Sequence, residues 1–372
     1  MLLPSSSISD ILHQVDLLQP EADSVVLLLF SEQDVPDIPE LIAALNTRNI
    51  PFFGGVFPGL LYGDQRVMKG CILKKFKTLL PPFCVTGIES SRLDGLPPFG
   101  SVELGEKGTA LVLFDGLSPN LYYFLEQLND LLGKQCDFIG GGAGSISLQQ
   151  QACVFSNEGF LEDAAVVCVI DNHIQLGVRH GWEHLDGPLV ATQTDGNTIL
   201  QLNWQKAIDV YNALVEKDCG ICLTKENFAS IAQGYPFGIL REKADDIVRD
   251  PLAMLDNGAI VCIGEVPPNT VLHVLKGRKE ALLNAAKKAV LECSANLDPK
   301  IPTKGTFVVD CITRTLFLDQ DFAKEMELIK QGVQIEQDEQ APFGILSLGE
   351  LASYGAGLLE LFNKTIVIGR FY

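Results

Sequence analysis

Two apolar runs near the C-terminus carry residues that could do chemistry. VVDCITR holds Asp310, Cys311 and Arg314, and GILSLGEL holds Ser347 and Glu350. Both runs read as strands. A charge buried without a partner costs several kcal/mol, so charges set into such runs must meet each other or a ligand. Arg314 beside Glu350 or Asp310 would make a site of both signs. Such a site suits a zwitterion, with a guanidinium for its carboxylate and a carboxylate for its ammonium. A structural ion pair between neighbouring strands accounts for the same residues, and spacing does not separate the two readings.

A second candidate is the glycine-rich stretch CDFIGGGAGSIS at residues 136–147. In a dinucleotide fold or a phosphate-binding loop, the glycine turn leads straight into a helix whose N-terminal amides and dipole hold the phosphate. Here SISLQQQACVFSNEG follows, turn residues and then a β-type run, with no Gly-Lys-Ser/Thr. The glycines are therefore expected to serve positive φ or close packing. Backbone amides around Gly141, Gly142 and Ser145 could still hold a ligand carboxylate, with the Ser347 hydroxyl completing the contacts.

Other chemistries fit less well. His173, His180 and His184 lie close together, but His173 and His180 are an odd number of positions apart on a strand-like run and face opposite sides, so no metal site is expected. Cys219 and Cys222 have redox spacing, yet they follow a helix instead of opening one, and no second pair exists for zinc. Ser347 lacks the Gly-x-Ser-x-Gly elbow of a hydrolase, and no histidine stands near Cys311 in the sequence. An amide-type hydrolase built on Ser347 or Cys311 remains the alternative to a binding site. No catalytic residue is assigned and no cofactor is expected.

These residues must be positioned by a framework, and the chain supplies one twice. VVLLLF (residues 25–30) reads as a strand, followed by an amphipathic segment with Ile38, Leu41, Ile42 and Leu45 in helical spacing, then PFFGGVFPG. TALVLFDG, a helix carrying Leu121, Phe124, Leu125, Leu128 and Leu132, and DFIGGGAG repeat that order. Each copy runs on into β-like segments, so the first half reads as two tandem β-α-β-β units with face-packed sheets and outer helices. From about residue 200 a second mixed α/β module follows. Its expected elements include a helix over 278–294, a strand pair from GAIVCIG and TVLHVLKG, a strand over GTFVVDCITRTLFL, a helix over 322–333 and strands at APFGILSLGEL and NKTIVIGRFY. The expected modules are 24–200 and 201–372.

Composition bounds the partners. The chain has 372 residues, 47% apolar and 20% charged, with a net charge of −19. A field of that sign disfavours nucleic acid and anionic membranes. No run approaches the length of a bilayer span, and MLLPSSSISD lacks the features of a signal peptide. Ten cysteines, several inside apolar runs, read as reduced thiols of a cytoplasmic protein.

Taken together, LFDGLSPN, QCDFIGGGAGS, CVFSNEGFLEDAAVVCVI, VRHGWEHLDGPLVATQTDGNTILQLNWQKAIDVY, DDIVRDPLAML, VVDCITR, GILSLGEL and NKTIVIG occur in an order that resembles the FIST family ("F-box and intracellular signal transduction"), from about Ser24 to the end. The resemblance implies an N-terminal and a C-terminal FIST module acting as a sensor of a small ligand, an amino acid above all, and attaches no catalytic chemistry. One branch of that family carries an F-box, for which the residues before Ser24 leave no room, so a ubiquitin-ligase role is not expected. No output domain is expected after Tyr372, and any signal is expected to pass through a partner protein.

Overall fold

The computed structural model describes residues 1–241, 245–295, 297, 302–333, 341–354 and 357–372. Among them are an eleven-, a six- and a seven-stranded sheet with helices, a mixed α/β architecture. The two former sheets pack face to face. Val25, Leu27, Leu29 and Ile139 of the larger sheet meet Val309, Ile345 and Val367 of the smaller in one core. The alternate residues Val26, Leu28 and Phe30 point the other way, into helices Ile8–Leu18 and Ile38–Asn46. This two-residue alternation, with both faces covered, explains why all of Ser24–Ser31 is buried. Helix Leu121–Leu132 covers the rest of the larger sheet. Helices Lys279–Ser294 and Phe322–Gly332 cover the smaller one, completing a helix–sheet–sheet–helix sandwich.

Three units of one topology build the sandwich. In each, a strand, a helical segment and a parallel strand are followed by a hairpin and a strand that returns antiparallel to the first. The parallel pairs are Ser24–Ser31 with Phe52–Phe57, Gly108–Asp115 with Cys136–Ala143, and Gly305–Cys311 with Phe343–Ser347. The hairpins are exchanged in a cycle. Gly59–Tyr62 of the first unit pairs with Phe343–Ser347 of the third, Val154–Ser156 of the second with Phe52–Phe57 of the first, and Glu350–Tyr354 of the third with Cys136–Ala143 of the second. Gly54, Gly140 and Gly344 hold equivalent registers opposite Leu28, Val112 and Val308. A Cβ at any of the three would stand 1.8–1.9 Å from the carbonyl oxygen of its partner. That close backbone approach is what the glycine-rich turns provide.

The remaining strands form a barrel. Glu183–Asp195, Thr270–Lys276, Phe237–Ile239, Ile247–Met254, Ile260–Ile263 and Thr198–Leu202 pair in that order, and the last pairs back to the first. Its core takes Leu272, Val274 and Phe237 together with Ala207, Tyr211 and Val215 of helix Ala207–Cys219. Strands from both sides of residue 200 share all three sheets.

Three elements differ from expectation. The run GTFVVDCITRTLFL is a strand only to Cys311, and helix Ile312–Leu318 follows. The β-branched Ile312, Thr313 and Thr315 suggested strand, but tertiary contacts of Arg314 override that preference. Ile260–Ile263 and Thr270–Lys276 do not pair with each other; the first joins Ile247–Met254 and the second joins Glu183–Asp195 and Phe237–Ile239. APFGILSLGEL splits into Phe343–Ser347 and Glu350–Tyr354, turning at Gly349 with φ 127°.

Candidate functional site

Arg314 is fully buried. Because it sits in the first turn after the strand, its guanidinium enters the space between the smaller sheet and its helices. Nη2 donates to Glu325 Oε1 at 2.5 Å and to Leu282 O at 2.7 Å, and Nη1 donates to His180 O at 2.5 Å. Asp310, one helical turn away, lies 3.6 Å from Nε and is fully buried. Burial and the neighbouring Glu325 push the Asp310 carboxyl well above the usual range, against the pull of Arg314. Burial alone would lower the Arg314 pKa, but Glu325 and Asp310 outweigh it and raise it. The cluster thus sets one cation against two buried carboxyl groups, and Asp310 is held toward its neutral form.

Glu350 belongs to a neighbouring group. Its Oε1 accepts from Ser347 Oγ at 2.6 Å, and its Oε2 accepts from the Thr365 amide at 3.1 Å. Burial pushes its carboxyl up to about 8, opposed by these two donors. Cys311 lies 3.2 Å from Thr313 Oγ1, and burial with the nearby Glu350 pushes the thiol up to about 12. It is a protonated thiol at neutral pH, not a ready nucleophile. Gly141 pairs with Glu350 across the strands, and a Cβ there would press on Val309, Ile345 and Ser347. Gly142 exchanges backbone hydrogen bonds with Leu348 and Gly349. Ser145 Oγ donates to Ser147 Oγ on the surface. The structure therefore gathers Asp310, Cys311, Arg314, Ser347, Glu350, Gly141 and Gly142 at the strand ends. It pairs Arg314 with Glu325 and with Asp310, the second of the two expected partners, but not with Glu350, and leaves Ser145 apart on an exposed turn.

Next to this buried group is an open cleft of about 700 Å³. One wall is residues 179–183 and the other is the start of helix Lys279–Ser294, with Arg179, Arg278 and Lys288 facing Glu183, Asp245 and Glu280 around it. Arg179 pairs with Asp245 at 3.0 Å and with Glu292. Arg278 meets Glu183 at 3.1 Å, and both are largely exposed. Lys288 makes no ion pair among the described residues. The His180 ring is a fixed part of the wall. Its Nδ1 accepts from the Trp182 amide at 2.9 Å, and burial lowers its pKa to about 4, so it is neutral at pH 7.

Arg314 ties the two walls together from beneath, since its acceptors His180 O and Leu282 O belong one to each. A second tie runs through Trp182, whose Nε1 donates to Lys364 O at 3.0 Å. The Lys364 ammonium sits 4.9 Å over the indole ring and 3.1 Å from buried Asp250. Of the residues lining the cleft, only His180 was weighed from the sequence, as a metal ligand, and the charged residues around it were not singled out. Arg179 and Arg278 are ordinary surface charges until the fold brings two distant segments face to face. The one available signal was VRHGWEHLDG, a dense polar–aromatic run spanning Arg179, His180 and Trp182.

Among the described residues no helix is long and apolar enough to cross a membrane. No curated protein matches the chain. Residues 26–205 match the family model of the FIST N domain and residues 207–353 that of the FIST C domain. Domains of this kind are described as small-ligand sensing domains in signal transduction. With both models matched in tandem along most of its length, the chain belongs to the FIST family.

Proposed function

We propose that the protein is a cytoplasmic, non-catalytic sensor of a small zwitterion, an amino acid in class, which binds in the cleft between residues 179–183 and helix Lys279–Ser294. The observation that carries this reading is the cleft itself: about 700 Å³, within the range of small-molecule sites, with cations and carboxylates facing each other across it. Arg278 and Lys288 receive the carboxylate, and Glu183 or Glu280 receives the ammonium. Arg314 does not touch the ligand. It positions both walls, and with Asp310, Glu325, Ser347, Cys311 and Glu350 forms the buried polar layer through which closure of the cleft reaches the strand ends at Gly141 and Gly142. Ten free cysteines support a reducing compartment, and the signal passes to a partner protein.

Calorimetric titration with a panel of amino acids tests this. One or more should bind, and the double variant Arg278→Ala/Lys288→Ala should weaken binding about tenfold or more, the loss expected for charge-assisted contacts. Binding that is unchanged in that variant places the ligand elsewhere. Consumption of the compound over the titration would favour hydrolysis at Ser347 or Cys311 instead.

A further inference from the structure

Three residues outside the cleft converge on one point. His184 lies at the start of strand Glu183–Asp195, Asp246 just before Ile247–Met254, and His273 in the middle of Thr270–Lys276. Asp246 Oδ2 is 2.9 Å from His184 Nε2 and 2.8 Å from His273 Nδ1. The two imidazoles are stacked, their centroids 4.0 Å apart. All three potential ligand atoms lie within 4.8 Å of one another.

We propose that His184, Asp246 and His273 form a binding site for a divalent transition-metal ion, with Zn²⁺ as the reference ion. Two imidazole nitrogens and one carboxylate oxygen are a donor set for Zn²⁺ and its neighbours, and a poor one for Mg²⁺ or Ca²⁺, which prefer oxygen. Ligand atoms around a tetrahedral Zn²⁺ stand about 3.3 Å apart, so the two hydrogen-bonded separations need to widen only by tenths of an ångström. Metal binding takes the place of the two hydrogen bonds: Nε2 of His184 and Nδ1 of His273, which donate to the Asp246 carboxylate in the ion-free state, give up that proton, to the other ring nitrogen or to solvent, and offer their lone pairs to the ion.

The surroundings suit an ion. The side chains of Asp246 and His273 are 3% and 11% exposed, whereas that of His184 is 56% exposed. The site thus has a buried base and an open side where water or another donor completes the coordination. Gly238 is paired to His273, and a Cβ on it would stand 2.7 Å from Asp246 Oδ2, so glycine preserves the space around that oxygen. An ion here clamps three barrel strands, of which Glu183–Asp195 and Thr270–Lys276 pair directly and Ile247–Met254 joins Thr270–Lys276 through Phe237–Ile239. This site does not depend on the ligand reading of the cleft.

The test is titration of chelator-treated full-length protein with Zn²⁺ against a chromophoric competitor. Wild type should bind one equivalent, and His184→Ala and His273→Ala should each weaken binding about tenfold or more. His173→Ala, remote from the cluster, should bind as wild type does. His184 is exposed, so His184→Ala should keep the fold, as circular dichroism would verify. The Co²⁺ form should show the intense visible absorption of a four- or five-coordinate ion, lost in His184→Ala. The proposal is overturned if wild type takes up no stoichiometric Zn²⁺, or if His184→Ala binds it as tightly as wild type does.

Discussion

The first and third strand–helix–strand units share a topology and differ in what fills it. Two residues beyond Gly54 and Gly344, counted on the partner strand from Leu28 and Val308, stand Phe30 and Asp310, both fully buried. Phe30 packs on Phe155 at 5.8 Å in an apolar layer under two helices. Asp310 occupies the matching layer with Arg314 and Glu325. The second unit agrees with the first, placing Phe114 there. The architecture therefore does not require an ionic layer. It is present only in the unit that abuts the cleft, and Arg314 is what joins that layer to both cleft walls.

The largest expected effect breaks the ionic layer on one side. Arg314→Ala leaves Glu325 buried without its cation and should cost about 3–5 kcal/mol in urea unfolding. Replacing the whole layer, as in Asp310→Leu/Arg314→Met/Glu325→Leu, should leave stability near wild type or raise it, because packed apolar groups replace such clusters without loss. The triple variant should nonetheless lose the amino-acid response. If it keeps that response, the layer is only structural and the contrast between the units has no functional meaning.

The glycine registers test whether the three units are equivalent. Gly54→Ala, Gly140→Ala and Gly344→Ala should each destabilise by about 3 kcal/mol, since each Cβ meets a backbone carbonyl that cannot move aside. Gly105→Ala, with nothing within 4 Å, should change stability by less than about 0.5 kcal/mol. Unequal losses among the three would show that the shared topology conceals different backbone geometry.

A smaller effect is expected from Glu350. With its carboxyl pushed up to about 8, the native protein holds a proton that the unfolded chain releases near the ordinary value of about 4.3. Unfolding then releases this proton, so stability is greatest at the acidic end of that window and falls as pH rises toward about 8. Glu350→Gln should flatten that decline in unfolding curves measured from pH 5 to 8. A parallel decline in the variant would assign the pH dependence to Asp310, which shifts in the same direction. The smallest stability change belongs to the cleft rim. The exposed pair of Arg278 and Glu183 should contribute less than about 1 kcal/mol, so Arg278→Ala should impair binding while leaving unfolding almost unchanged.

Periodicity made much of the framework legible. Ile38, Leu41 and Leu45 do face the core from a helix, and so do Phe124, Leu125, Leu128 and Leu132. The tandem repeat of the first half was visible because both copies keep a Gly-Gly pair after a phenylalanine or an isoleucine. The third copy was hidden, since only Gly344 survives in PFGILSLGEL and two helices replace one between its strands. Arg314 read as a strand residue because β-branched neighbours carry that preference, and nothing local announces Glu325 as its partner.

The amino-acid sequence by itself determined which segments bury an apolar face, where glycine is needed for close approach, and that the buried charges after Val309 must be neutralised. Each follows from local chemistry: side-chain period, the absence of a Cβ, the cost of desolvating a charge. Only the tertiary structure decided which charge answers which, that the hairpins are exchanged among three units, and that Arg179 faces Arg278 across a cleft. Those outcomes depend on segments meeting through pairing and packing, whether 11 residues apart, as Arg314 and Glu325 are, or far apart in the chain, as Arg179 and Arg278 are, and spacing along the chain carries no record of such encounters.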